Sequence, residues 1–274
     1  MQYFVLDCKR LYRSKMALVT WGILALLAIV GPLYHRWTLP PMVWSGMDHP
    51  YFWWLVMNNG LAANIFYAVI LAWPVLCTGL VFAGERLSSV EALSSIRKGK
   101  WRYLVSKECS VFLVTLLNMT LLLLLNVLIT NLLYQTDIPF TAFEQGRYYI
   151  PDEGSIGWLF YQLGPLAAEV GYSVMMALYM AMLAALTVSI QMALPLRNLY
   201  LAFLVPLVVL YGTDFALQAL FPAQCVPSVF LQPMASTALV SAPTPENVIT
   251  GCLVLLAVCL AALALGLYRS RDTL

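Results

Sequence analysis

Polarity along the chain changes in long blocks. Six runs, residues 16–34, 61–83, 109–134, 166–194, 199–220 and 248–267, are apolar with no more than one charge each. About 20 apolar residues in helical conformation span the roughly 30 Å hydrocarbon core of a bilayer. Only helices or closed barrels satisfy their backbone there. The pattern predicts an all-α polytopic membrane protein with six transmembrane helices, folded as one transmembrane domain over 1–274. Pro74, inside the second run, predicts a kink.

The segments between the runs have patterns of their own. In residues 1–15, Met1, Phe4, Val5, Cys8, Leu11 and Tyr12 share one arc of a helix, with Lys9, Arg10 and Arg13 facing away. This predicts an amphipathic helix lying in the membrane interface, ahead of the first span. Residues 35–60 are rich in Trp, Tyr and Pro (Trp37, Trp44, Tyr51, Trp53, Trp54) and read as a loop whose rings settle at the interface. Residues 221–247 hold five prolines yet stay apolar, which predicts a re-entrant segment between helices 5 and 6 rather than a loop in bulk water.

The stretch Gly84–Lys107 is a polar island between two uncharged runs, and it carries six of the fifteen Lys and Arg residues. Leu87, Val90 and Leu93 recur at three-residue steps and fall within about a 120° arc of a helix. Gly99 marks the end of that short helix, with Arg97 and Lys98 in its last turn, where cations sit well. Trp101–Lys107 then leads into the third span.

Charge sets the orientation. Thirteen Lys and Arg residues fall in the segments placed inside, and only Arg36 and Arg147 in those placed outside. The bias puts both termini in the cytoplasm. With 62% hydrophobic and 10% charged residues, against about 25% charged in soluble domains, the composition is that of an integral membrane protein. A net charge of +2 gives no basis for nucleic-acid binding. The six cysteines show no metal-binding spacing or disulfide framework, and no cleavable signal peptide is expected ahead of the first span.

The chemistry is sparse. No phosphate-binding G-x-x-x-x-G-K-[ST], H-E-x-x-H or G-x-S-x-G sequence is present. The two histidines, His35 and His49, fall in one loop. The chain is therefore expected to be no enzyme and to need neither cofactor nor metal. Glu169 and Asp214 are the charges inside apolar runs; they read either as lining a polar vestibule toward the outer face that contacts a cationic substrate, or as structural groups paired with Arg36 or Arg147 or snorkelling to the interface. Asn64, Asn118, Asn126, Asn131, Gln191 and Gln218 are expected to tie helices together.

Taken together, the layout resembles the six-helix permease subunits of type-2 ATP-binding-cassette exporters. Those subunits have an amphipathic N-terminal helix, a coupling segment between spans two and three, and a re-entrant pair between spans five and six. Glu85, Leu93, Ser94, Lys100 and Tyr103-Leu-Val-Ser106-Lys107 match the family's coupling pattern, whereas Ser89 replaces the usual glycine and the proline expected near Ile96 is missing. The resemblance implies an ATPase-coupling surface of Glu85, Arg86, Leu87, Val90, Leu93, Arg97, Tyr103 and Lys107. It also implies a cytoplasmic ATPase partner, a second permease half, and export of an amphipathic small molecule or peptide across a prokaryotic cell membrane. The competing reading is a membrane anchor or sensor that reports envelope state to a cytoplasmic partner.

Overall fold

The computed structural model describes residues 2–38, 50–56, 60–79, 100–134, 153–194, 198–220 and 244–269. Glu85, Arg86, Leu87, Val90, Leu93 and Arg97, and the expected re-entrant stretch over 221–243, lie outside the described residues. The elements are helical: α1 (Gln2–Arg13), α2 (Lys15–Thr38), a 3₁₀ turn (Pro50–Phe52), α3 (Leu61–Ala68), α4 (Ala72–Pro74) running into a π turn (Val75–Gly79), α5 (Lys100–Leu133), α6 (Ile156–Tyr161), α7 (Pro165–Ala193), α8 (Leu199–Leu220) and α9 (Pro245–Arg269). Five of these, α2, α5, α7, α8 and α9, are long and apolar enough to cross a membrane. The end of the bundle where α2, α5 and α8 begin is called here the basic end, and the opposite end the aromatic end.

The bounds differ from the apolar runs where capping chemistry intervenes. α9 begins at Pro245, three residues before the sixth run, because Pro fits the first helical turn and Thr244 Oγ1 accepts the Asn247 N–H at 3.3 Å. α5 starts at Lys100, directly after Gly99, and continues unbroken for 34 residues, about 51 Å. It therefore overshoots the roughly 30 Å apolar core of a bilayer. Gly164 precedes α7 with φ +112°, a backbone conformation that glycine adopts without strain, and Pro165 opens the helix.

α7 is the centre of the bundle. In its most apolar stretch 83% of residues are buried, against 17% for α9. α5 packs along one side of it and α9 along another, while α2 packs on α5. The core joins Tyr172, Met176, Met180 and Leu183 of α7 to Met119, Leu123 and Val127 of α5, with Leu24 of α2 and Phe66 of α3. At Gly31 of α2, an added Cβ would lie 3.0 Å from Ala62 Cβ, so two small residues set the close approach of α2 and α3.

The prolines inside spans are accounted for bond by bond. Pro32 has no N–H, which frees the Ala28 carbonyl in α2. Asn126 Nδ2 of α5 donates to that oxygen at 2.7 Å. Pro206 frees the Ala202 carbonyl in α8, and Gln191 Nε2 of α7 donates to it at 2.7 Å. Thus Asn126 and Gln191 act as the expected interhelical ties, each placed where a proline has stranded an acceptor.

The second apolar run departs from expectation. It is not one helix kinked at Pro74 but is broken at Val69–Leu71, a turn earlier, before re-forming as α4 and the π turn. Ile70 N–H shortens its bond to the Tyr67 carbonyl (3.2 Å) and Ala72 N–H to that of Val69 (2.9 Å), which strands the Phe66 and Ala68 carbonyls. Trp73 Nε1 donates to Phe66 O at 3.2 Å, and Tyr211 Oη of α8 donates to Ala68 O at 3.1 Å. Ile70, Leu71, Trp73, Val75 and Cys77 are buried, so the irregular backbone is enclosed by protein, the condition under which it survives at membrane depth.

A second correction concerns the aromatic loop. Tyr51 and Trp54, expected at an interfacial belt, are each 1% exposed. Residues 50–56 insert between helices: Leu55 N–H donates to Asn126 Oδ1 at 2.7 Å, and Tyr67 Oη donates to the Val56 carbonyl at 2.7 Å. Asn126 lies eight residues, about 12 Å, inward of Tyr134. The segment is a plug packed among the helices near the aromatic end.

Candidate functional site

Glu169 sits in the second turn of α7, at the aromatic end, and is 0% exposed. Its Oε2 accepts from Asn131 Nδ2 of α5 at 2.6 Å, and Asn131 also donates to the Val127 carbonyl at 2.9 Å. The sequence offered Arg36 or Arg147 as its partner. The structure supplies an amide instead, with the Arg36 guanidinium 6.0 Å from the Tyr134 ring centroid and Arg147 outside the described residues. Glu169 Oε1 has no hydrogen-bond partner among the described residues, and the same holds for Ser173 Oγ and Trp54 Nε1.

These groups share one neighbourhood. Glu169, Tyr172, Ser173 and Met176 fall at i, i+3, i+4 and i+7 and so lie along one stripe of α7. The Trp54 ring of the plug meets Tyr172 edge-on with centroids 6.4 Å apart, and Phe160 of α6 meets the same tyrosine at 6.0 Å. Trp53 stacks on Tyr134, just past the end of α5, at 5.7 Å. A Cβ at Gly171 would lie 2.6 Å from the Phe160 ring, so glycine there lets α6 close against α7. α6 is itself started by Ser155, whose Oγ accepts the Trp158 N–H at 3.1 Å. The result is a carboxylate buried beside a cluster of packed aromatic rings.

Asp214 of α8 is also buried, 8% exposed, and interacts electrostatically with Tyr179 and Tyr211. Tyr179 lies ten residues along α7 from Glu169, about 15 Å.

At the basic end, α1 lies on the start of α5. Leu11 is buried against Val111, Val114, Ala184 and Val188, with Cys8 beside it, as the apolar arc predicts. Val5 and Tyr12 of that arc are exposed, and Asn118 Nδ2 donates to Tyr12 Oη at 3.0 Å. Asp7 is fully buried, accepts from Ser106 Oγ at 3.0 Å and lies 3.8 Å from Arg10 Nη1. Ser110 Oγ donates to the Phe4 carbonyl at 3.4 Å.

Of the expected coupling residues, Tyr103 and Lys107 are described. They come together one turn apart on α5, Lys107 Nζ 4.6 Å from the Tyr103 ring centroid, and both are buried. Tyr103 and Leu104 pack on Leu263 of α9. Trp101 and Arg102 face outward instead.

Sequence reasoning passed over Asp7 and Glu108. Asp7 is four residues from Leu11, about 40° around the helix, so its position beside the apolar arc was a usable signal. Glu108 lies between the polar island and the third run. In the fold it accepts a hydrogen bond from the buried Ser189 Oγ of α7. Comparison with family models, with curated proteins and with solved structures finds no match.

Proposed function

We propose that the chain is the permease subunit of an ATP-binding-cassette exporter, with six spans, both termini cytoplasmic and the basic end facing the cytoplasm. In this reading the broken segment Leu61–Gly79 belongs to the second span, and 221–247 forms a re-entrant pair. A separate ATPase grips the Leu87–Arg97 helix, a second permease half completes the pathway, and an amphipathic compound or peptide is the cargo.

The observation that carries the proposal is mechanical. The basic island feeds directly into α5, an unbroken 34-residue helix, and α1 is fixed to the first turns of that helix by Leu11 and by the Asp7–Ser106 bond. A displacement of the island moves α1 and α5 together, and α5 lies along the central helix α7. Buried Tyr103 and Leu104 hold the joint to α9, leaving Trp101 and Arg102 on the outward face.

The test uses the tagged full-length chain purified from its native membranes. The preparation should carry ATPase activity, and Leu93→Asp should remove that activity while the chain still inserts and melts cooperatively. A preparation without ATPase activity, or a Leu93→Asp preparation that keeps it, overturns the reading.

A further inference from the structure

We propose that α1 binds an anionic phospholipid of the leaflet at the basic end, with the phosphate held by Lys9 and Arg13 and the acyl chains laid over Val5 and Tyr12. The proposal rests on the chain spanning a membrane and not on the permease reading.

Most of the apolar arc that the sequence offers to the bilayer is used on other helices. Leu11 is buried against α5 and α7 with Cys8 beside it, and Phe4 and Asp7 are tied to α5 through Ser110 and Ser106. What α1 leaves outside is a different surface, and α5 measures its depth. Tyr12 Oη accepts from Asn118, which lies 15 residues, about 22 Å, from Leu133 at the aromatic end of α5. That depth is inside the roughly 30 Å apolar core of a bilayer. Ser106, the partner of Asp7, lies 12 residues, about 18 Å, nearer the basic end and so beyond that core. The helix therefore straddles the boundary, its Tyr12 flank in hydrocarbon and its Asp7 flank outside. The exposed residues sort by angle to match. Val5, 58% exposed, lies about 20° around the helix from Tyr12, 44% exposed, and both form an apolar strip. Lys9 and Arg13 follow at about 60° and 100° from Tyr12, exposed and turned away from α5. Arg10 is drawn back to the buried Asp7 at 3.8 Å, whereas Lys9 and Arg13 make no ion pair among the described residues. Two uncompensated cations at headgroup depth, next to an exposed apolar strip, complement a ligand with a negative head and hydrocarbon chains. A zwitterionic lipid complements them less, because its own ammonium already offsets its phosphate.

The experiment places the full chain, without nucleotide or ATPase, in phosphatidylcholine nanodiscs. A trace of phosphatidylglycerol with a photoreactive acyl chain is included, and the label is mapped by peptide mass spectrometry. Label is expected on α1. With the photoreactive lipid held constant, replacing half of the phosphatidylcholine by unlabelled phosphatidylglycerol should cut that label at least about threefold. Lys9→Gln with Arg13→Gln should cut it about fivefold, whereas Lys9→Arg with Arg13→Lys, which keeps both charges, should preserve it. Excess glycerol 3-phosphate, a head without chains, should leave the label in place. An unlabelled α1, a cut below about twofold on adding phosphatidylglycerol, or displacement by glycerol 3-phosphate overturns the site. So does a Gln variant that melts cooperatively and keeps its label, or an Arg/Lys exchange that loses it. Should the Gln variant melt early, the lipid competition on the unvaried chain decides alone. Because no ATPase enters the assay, loss of labelling leaves the permease reading standing, and a failed ATPase test leaves this site standing.

Discussion

Asn126 is the residue on which most depends at the smallest scale. One side chain serves two elements: its amide donates to the carbonyl freed by Pro32, and its oxygen accepts Leu55 N–H of the plug. Replacing it by Leu leaves a buried acceptor and a buried donor without partners. Such groups cost about 1–3 kcal/mol each in water-soluble proteins and less across membrane helices, so Asn126→Leu should destabilise the fold by about 2 kcal/mol. Reversible unfolding in mixed micelles measures this. In a Pro32→Ala background the restored N–H claims the Ala28 carbonyl, and the same substitution should cost about 1 kcal/mol less. Equal costs in the two backgrounds would refute the pairing. The sequence showed that Asn126 and Gln191 tie helices, because an amide in an apolar run has few other uses. It did not show to what, since the stranded carbonyls lie on other helices, far away in the chain.

Among elements, the joint between α1 and α5 makes the most direct prediction. Asp7 and Ser106 side chains are in hydrogen-bond contact. In a background with Cys8→Ser and Cys109→Ser, the pair Asp7→Cys and Ser106→Cys should therefore form a disulfide under mild oxidation, read as a mobility shift that reductant reverses. Lack of cross-linking would mean that α1 does not rest on α5. How far elements were legible depends on what decides them. Long helices follow from apolar runs, and the fifth run coincides with α8, Leu199–Leu220. The break at Val69–Leu71 was invisible because it arises from a switch of backbone partners stabilised by Trp73 and by Tyr211 of another helix. Residues 50–56 were misplaced for a related reason. A ring at an interface and a ring in a core have the same composition, and only the burial of Tyr51 and Trp54 separates them.

At the scale of the whole molecule, α7 acts as an axle with α5 and α9 against it, while α8 and α9 expose apolar faces through Val208, Phe215, Leu253 and Leu260. In the proposed reading, the charge bias predicts which way the axle points. Cysteine placed at Glu153, exposed at the aromatic end, should react with an impermeant maleimide added to intact cells. Cysteine placed at Asn198, exposed at the basic end, should react only after the membrane is opened. The reverse pattern would invert the proposed topology. Long-range arrangement was the least legible level, because any of five apolar helices could have taken the central position; it falls to α7, which carries Glu169, Ser173, Thr187, Ser189 and Gln191 on buried faces.

The overshoot of α5 beyond the bilayer makes it a ruler with a phase. Two alanines inserted between Lys100 and Trp101 would swing everything before them by about 200° around the shaft, whereas four would return it to within about 40° and merely lengthen the shaft by about 6 Å. A machine driven through a stiff shaft should stall with the first insertion and run with the second; one driven through a slack tether should ignore both.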